Sequence, residues 1–265
     1  MLAIYQYFGY KLPMKERFTK IKAAGFDAVG LWSEADWSHD EWHRRDQAIL
    51  AREAGLEIMD AHAPRIADFV DAIWTDTLDG EATYETYKRT IHNCAEVGLK
   101  NLIIHTETYH HSPPPNALGI LRIQKLVETA ENHGITLALE HIRNHRYLIY
   151  IYSHIESPNL RFCYDSGHQN CNEPEVDLLA LFGDKLAALH LHDNNGRHDQ
   201  HRIPFTGTVN WPEKMAKISA LGYQGPITLE CTLRRRDETE APPVEEWLQS
   251  AFAAAKRLKA IAISI

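Results

Sequence analysis

Residues 121–141 read LRIQKLVETAENHGITLALEH, and the change of period inside that stretch decides the fold. Ile123, Leu126, Val127 and Ala130 recur at three- and four-residue steps, the apolar stripe of an amphipathic helix. Gly134 supplies the left-handed residue that ends such a helix, and ITLALEH (135–141) follows as a short apolar run of strand type. The same unit recurs on both sides. Strand candidates are LAIYQYF (2–8), FDAVGLW (26–32), LEIMDAH (56–62), NLIIHTE (101–107), LRFCYDS (160–166), LAALHLH (186–192) and PITLEC (226–231). Helical stretches such as MKERFTKIKAAG, SHDEWHRRDQAILAREAG, TYETYKRTIHNCAEVG and WPEKMAKISALG separate them, VEEWLQSAFAAAKRLKAI closes the chain, and YLIYIYSHIES is the weakest of the set. Internal helices end in Gly25, Gly55, Gly98, Gly134 and Gly222.

Eight strand-plus-helix units in strict alternation call for a parallel sheet closed into a (β/α)8 TIM barrel. No low-complexity linker divides the chain, so one domain over residues 1–265 is expected, with HHSPPPN (110–116) as an ordered loop. An open doubly wound sheet would more often use five or six strands, and no GxGxxG follows strand 1.

With 265 residues, 44% of them hydrophobic, the chain can bury a core without staples. Cys94, Cys163, Cys171 and Cys231 show no CxxC spacing and suit reduced thiols in or near a core. No leader pattern precedes the first element, and no apolar run reaches the roughly 18 residues a membrane span needs. A cytoplasmic protein with no membrane partner is the expectation. A net charge of −8 and a pI near 6.0 argue against a surface built to neutralise nucleic-acid phosphates.

In a TIM barrel the active site gathers at the C-terminal ends of the strands. Strand 3 ends at His62, strand 4 carries His105, and strand 5 ends in Glu140. Strand 6 ends in Asp165 with His168 three residues on, strand 7 carries His190, and strand 8 ends in Glu230. Independent helix caps have no reason to be Glu, Asp and His at so many strand ends. Glu140, Asp165, His190 and Glu230 converging from strands 5–8 suit one divalent cation, Mn²⁺ or Zn²⁺ foremost, with Mg²⁺ or Co²⁺ also compatible.

LALEH with Glu140, YDSGH with Asp165 and His168, LHLHD with His190 and Asp193, and TLEC with Glu230 together resemble the xylose-isomerase-like barrels of the sugar phosphate isomerase/epimerase family. That family shares its fold with the endonuclease IV type of apurinic/apyrimidinic nuclease. The resemblance covers nearly the whole chain and implies that Glu140, Asp165, His190 and Glu230 are the metal ligands. Its HxxD motif selects His190 and Asp193 as the ligand-bearing pair of LHLHDNNGRHDQH (189–201) and leaves His192 to packing or indirect support. Asp199 and His201 form a DxH that resembles the pair completing the three-zinc cluster of the nuclease branch, where His62, His105 and His168 would also bind metal.

The first functional expectation is an isomerase or epimerase of a small sugar, sugar phosphate or polyol ketone, working through an enediolate stabilised by the metal. Glu140 and Glu230 would remove and return the proton, while His168 orients a substrate oxygen. Trp32, His62, His105 and Arg234 are the candidate substrate contacts, with Trp74 and Phe8 as further apolar walls, and RRR (234–236) suits a phosphate. A zinc-dependent endonuclease with up to three Zn²⁺, and a lyase or dehydratase on the same scaffold, remain open. Barrels of this kind often pair, so a homodimer or homotetramer is compatible with the reading.

Overall fold

The computed structural model describes residues 1–32, 44–64, 70–108, 111–233 and 241–263. Eight parallel strands run β1 (Leu2–Tyr5), β2 (Ala28–Trp32), β3 (Glu57–His62), β4 (Asn101–His105), β5 (Thr136–Glu140), β6 (Leu160–Asp165), β7 (Leu186–His190) and β8 (Ile227–Leu229). Each neighbours the next in sequence, and β1 also pairs with β8. The circle closes through Leu191, just past β7, which bridges in parallel to Leu229; its N–H donates to the Thr228 carbonyl at 3.0 Å. The (β/α)8 barrel expected from the alternation is therefore what the chain forms.

Around it lie α1 (Met14–Ala24), α2 (Arg44–Glu53), α3 (Leu78–Glu96), α4 (Ala117–Asn132), α5 (Arg146–His154), α6 (Ser166–Asn172), α7 (Leu178–Phe182), α8 (Trp211–Ala220) and α9 (Val244–Ile263). The weak fifth stretch does fold as α5. After β6, where no long amphipathic run stands, the chain makes the two short helices α6 and α7. All five helix-ending glycines have positive φ, from 63° at Gly134 to 112° at Gly25. A side chain there would strain the backbone, so these positions make the helix-to-strand turns cheap.

The main core lies between sheet and helices, where Phe18, Ile21, Ile91, Leu126, Phe162 and Leu258 are buried. A second, small cluster of Ile103, Ala138, Cys163 and Ala188 stands apart from it. These four lie two residues before His105, Glu140, Asp165 and His190, and strand alternation puts i and i−2 on one face. They floor one half of the barrel mouth beneath the polar residues.

Two register breaks aim the strands. Val29 pairs with Ile58 but Gly30 with Asp60, so Met59 is an extra residue; Phe162 pairs with Leu186 but Cys163 with Ala188, so Ala187 is another. Such bulges reverse which face the following side chains occupy. The second one brings His190 level with Asp165.

Candidate metal centre

Glu140 ends β5 with its side chain 1% exposed, and four imidazoles surround it. Oε2 lies 2.8 Å from His105 Nε2 and 3.2 Å from His62 Nε2, while Oε1 lies 3.1 Å from His190 Nδ1 and 3.3 Å from His168 Nδ1. His190 Nδ1 in turn lies 3.2 Å from Glu230 Oε2. Asp165 faces His192, whose Nε2 is 3.1 Å from its carboxylate, and caps α6 by accepting the His168 N–H at 2.6 Å.

Among the described residues three donor groups result, each with ligand atoms within 4.8 Å of one another: His62, His105 and Glu140; Glu140, Asp165, His190 and Glu230; and His168, His192, Asp199 and His201. Cys163 forms a fourth, overlapping set with Glu140 and His190. The central set passes a chemical test as a cation site. Glu140 Oε1, His190 Nδ1 and Glu230 Oε2 are buried and make no hydrogen bond of ordinary geometry. Carboxylate and imidazole donors left unsatisfied around one point are costly unless a cation completes them.

The electrostatics agree. Burial alone would raise both glutamates, yet His190 and its neighbours hold Glu140 well below the ordinary range and Glu230 at about 2. Burial opposes a charged imidazole, but Asp165 and Asp199 raise His168 well above its ordinary value, and surrounding groups including Glu140 and Glu230 do the same for His190. Asp199 pushes His201 up to about 10. His105 is driven down to about 4 by burial, which outweighs Glu140, so it offers a neutral ring. Without metal, protons on imidazole balance the carboxylates; a cation would replace them.

The DxH residues belong to this cluster. Asp199 lies 3.2 Å from His201 and 3.4 Å from His168, and the His201 ring stacks on His192 at 3.9 Å. His201 has φ 45°, a left-handed conformation rare for a side-chain-bearing residue, and is held there by Nδ1 meeting the Glu230 carbonyl at 2.7 Å.

One expectation requires correction. Asp193, read as half of the ligand pair, points elsewhere: Oδ1 accepts N–H groups of Asn194 and Val209, and Oδ2 those of Phe205 and the Trp211 indole, at 2.9–3.1 Å. With four donors it is an anchor for the loop after β7. His192, left to packing or indirect support, faces Asp165 and Asp199, and its ring nitrogen falls within the third group. Gly167 makes room for it, since a Cβ there would stand 1.9 Å from His192 Cε1.

Among the candidate walls, Trp32 stacks on His62 at 4.4 Å and borders the centre. Trp74 and Phe8 do not line it: Trp74 packs near Tyr147 and bonds the Thr106 carbonyl, and Phe8 stacks on Trp247 in the core. Arg234 and the rest of RRR lie outside the described residues. Tyr5, Asp60 and Cys163, which no motif picked out, also reach the centre: the Tyr5 hydroxyl lies 2.9 Å from both His190 Nε2 and Asp60 Oδ1.

The family description "xylose isomerase-like TIM barrel" matches residues 18–258. The chain belongs to that family. Fructoselysine 3-epimerase of Shigella flexneri is 33% identical over 237 residues, 83% of this chain and 86% of that protein. An uncharacterised protein of Sinorhizobium fredii is 29% identical over 194 residues, 68% of this chain, and the match spans 61% of its length. A match of 35% identity over 119 residues spans 41% of an uncharacterised protein of Methanocaldococcus jannaschii and 41% of this chain. The crystal structure of a D-tagatose 3-epimerase-like protein superposes with a TM-score of 0.77 at 22% identity, covering 100% of this chain and 99% of that one, a likeness of fold. No described helix is long and apolar enough to cross a membrane.

Proposed function

We propose that this family member is a divalent-metal-dependent epimerase or isomerase of a small sugar or sugar derivative, using Glu140, Asp165, His190 and Glu230 as metal ligands. The observation that carries the reading is the placement of Glu140 Oε1 and Glu230 Oε2 at 3.1 and 3.2 Å from His190 Nδ1, all three buried and unsatisfied. The epimerase relative, aligned over most of both chains, supports the substrate class.

A divalent ion in this set supplies positive charge toward which a substrate oxyanion can develop. The chain's own residues perform the proton chemistry. One of the two carboxylates, held ionised by its imidazole neighbours, takes a proton from the carbon beside the substrate carbonyl, leaving an enediolate. Delivery of a proton to the opposite face through the other carboxylate, which first takes one up from solvent, inverts that carbon; return of the abstracted proton by the first carboxylate to the adjacent carbon isomerises the sugar. His168, charged and fixed by Asp165 and Asp199, donates to a substrate oxygen. Trp32 and His62 close one side against water.

The test is deuterium wash-in: metal-loaded protein incubated in D₂O with ketoses and ketose derivatives, read by proton NMR. Deuterium entering a carbon beside the carbonyl, lost in Glu230→Gln, is expected. Absence of exchange over a broad ketose panel would sink the reading.

A second reading keeps the nuclease branch of the fold, with up to three Zn²⁺. It is favoured by the two further donor groups flanking the central one. Three zinc ions per chain together with cleavage of abasic-site DNA would establish it in place of the first.

A further inference from the structure

Half of the barrel mouth is floored by apolar side chains, but on the β1 and β3 side, where the His190 ring is met edge-on, the lining is polar. Tyr5 on β1 and Asp60 on β3 are 0% and 2% exposed, and three features of the chain combine to put them there. The extra residue Met59 turns Asp60 inward across from Gly30. Gly30 leaves the space they fill, since a Cβ at that position would lie 2.7 Å from Asp60 Oδ1 and 2.8 Å from the Tyr5 ring. The Tyr5 ring meets the His190 ring edge-on at 4.9 Å, which brings its hydroxyl to Nε2.

We infer that Tyr5 and Asp60 are positioning residues that decide which nitrogen of His190 meets a metal ion; the inference rests on the proposed role of His190 as a ligand. The reasoning follows the one-way character of each hydrogen bond. The Tyr5 hydroxyl gives its single proton to Asp60 Oδ1 at 2.9 Å. The hydroxyl oxygen, having spent its proton, can only accept from His190 Nε2, also at 2.9 Å. When the ring is neutral that nitrogen therefore keeps the proton, and the lone pair stands on Nδ1, the atom lying between Glu140 Oε1 and Glu230 Oε2. A phenol backed by a buried carboxylate also makes the ring more basic and stops it rotating, the part outer partners of ligating histidines commonly play.

Calorimetric titration with Mn²⁺ of wild type, Tyr5→Phe, Asp60→Asn and His190→Ala tests this, with thermal melting in chelator to show that each variant is folded. Tyr5→Phe and Asp60→Asn are each expected to weaken Mn²⁺ binding by about 10- to 100-fold. Zn²⁺-loaded protein labelled with ¹⁵N-histidine adds a signature that general loss of stability would not produce. The ring proton of His190 should sit on Nε2 with the metal on Nδ1, and its exchange with water should quicken in Tyr5→Phe. If His190→Ala weakens binding while folded Tyr5→Phe and Asp60→Asn do not, or if His190 binds zinc through Nε2, the inference fails and the ligand assignment stands. If His190→Ala leaves Mn²⁺ affinity unchanged, the ligand assignment fails and takes the inference with it.

Discussion

The indole N–H of Trp211 donates to Oδ2 of Asp193 at 2.9 Å, tying the start of α8 to the residue three beyond the last of β7. The same carboxylate holds Asn194, Phe205 and Val209, so the loop carrying Asp199 and His201 is closed at both ends on one side chain. Asp193→Asn replaces one acceptor oxygen by a donor among buried N–H groups. A loss of about 3 kcal/mol in urea unfolding is expected. Unchanged stability would show that the loop holds itself.

Gly167 should be equally intolerant for a steric reason. Its Cβ would collide with His192, whose ring is confined between Asp165 and His201. Gly167→Ala is expected to displace His192 and, on the three-zinc reading, to lower the number of ions bound at saturation. Elemental analysis after dialysis against zinc reads the count, and an undiminished count would mean that His192 is not a ligand.

Glu230→Gln keeps the shape of the site but removes one of the two proposed proton carriers. Deuterium wash-in should fall by on the order of 10²- to 10⁴-fold. Glu140→Gln should be worse, because Glu140 belongs both to the central group and to the pair with His62 and His105, so metal content should fall with activity. Equal retention of metal in both variants would separate proton transfer from metal binding.

Acid stability should report a network away from the centre. Glu173 receives His141 at 2.7 Å and His145 at 3.0 Å; despite partial burial, which would raise it, these contacts lower its carboxyl from 4.5 to about 2. A carboxyl lowered on folding stabilises the protein above its unfolded value, and that contribution is lost as pH falls from 4.5 through about 2. Metal-free Glu173→Gln protein should therefore show a flatter loss of melting temperature over that interval than wild type. Identical acid profiles would remove Glu173 from the account.

Metal affinity should change with pH in the opposite region. Against the effect of burial, Cys163, Tyr5, Glu140 and Glu230 hold His190 protonated well above its ordinary value, and a cation must displace the proton on Nδ1. Mn²⁺ binding is expected to tighten as pH rises from neutral, with proton release measurable by calorimetry in buffers of different ionisation heat. Binding without proton release would contradict the proposed ligand set.

Much of this architecture is written locally. The period change at Gly134, repeated at the other helix-ending glycines, specifies alternation, because helix and strand periods and left-handed turns depend on near neighbours. Glu140, Asp165, His190 and Glu230 are legible too, since a barrel delivers strand ends to one rim and only the residue type there is needed. His192 and Asp193 were not separable that way. They are adjacent in sequence, both can bind metal, and which one turns inward depends on closure through Leu191 and on the Asp193 bonds to Phe205, Val209 and Trp211.

The sequence by itself determined the barrel, its order of elements and the rim of acidic and imidazole residues. Tertiary structure alone decided how those residues meet: the extra residues Met59 and Ala187, the space left by Gly30 and Gly167, and the approach of Tyr5 to His190 across 185 positions of chain. The physical reason is range. Periodicity and capping act over a few residues, whereas a bulge's effect on side-chain direction and a hydrogen bond between distant strands exist only once the sheet has closed.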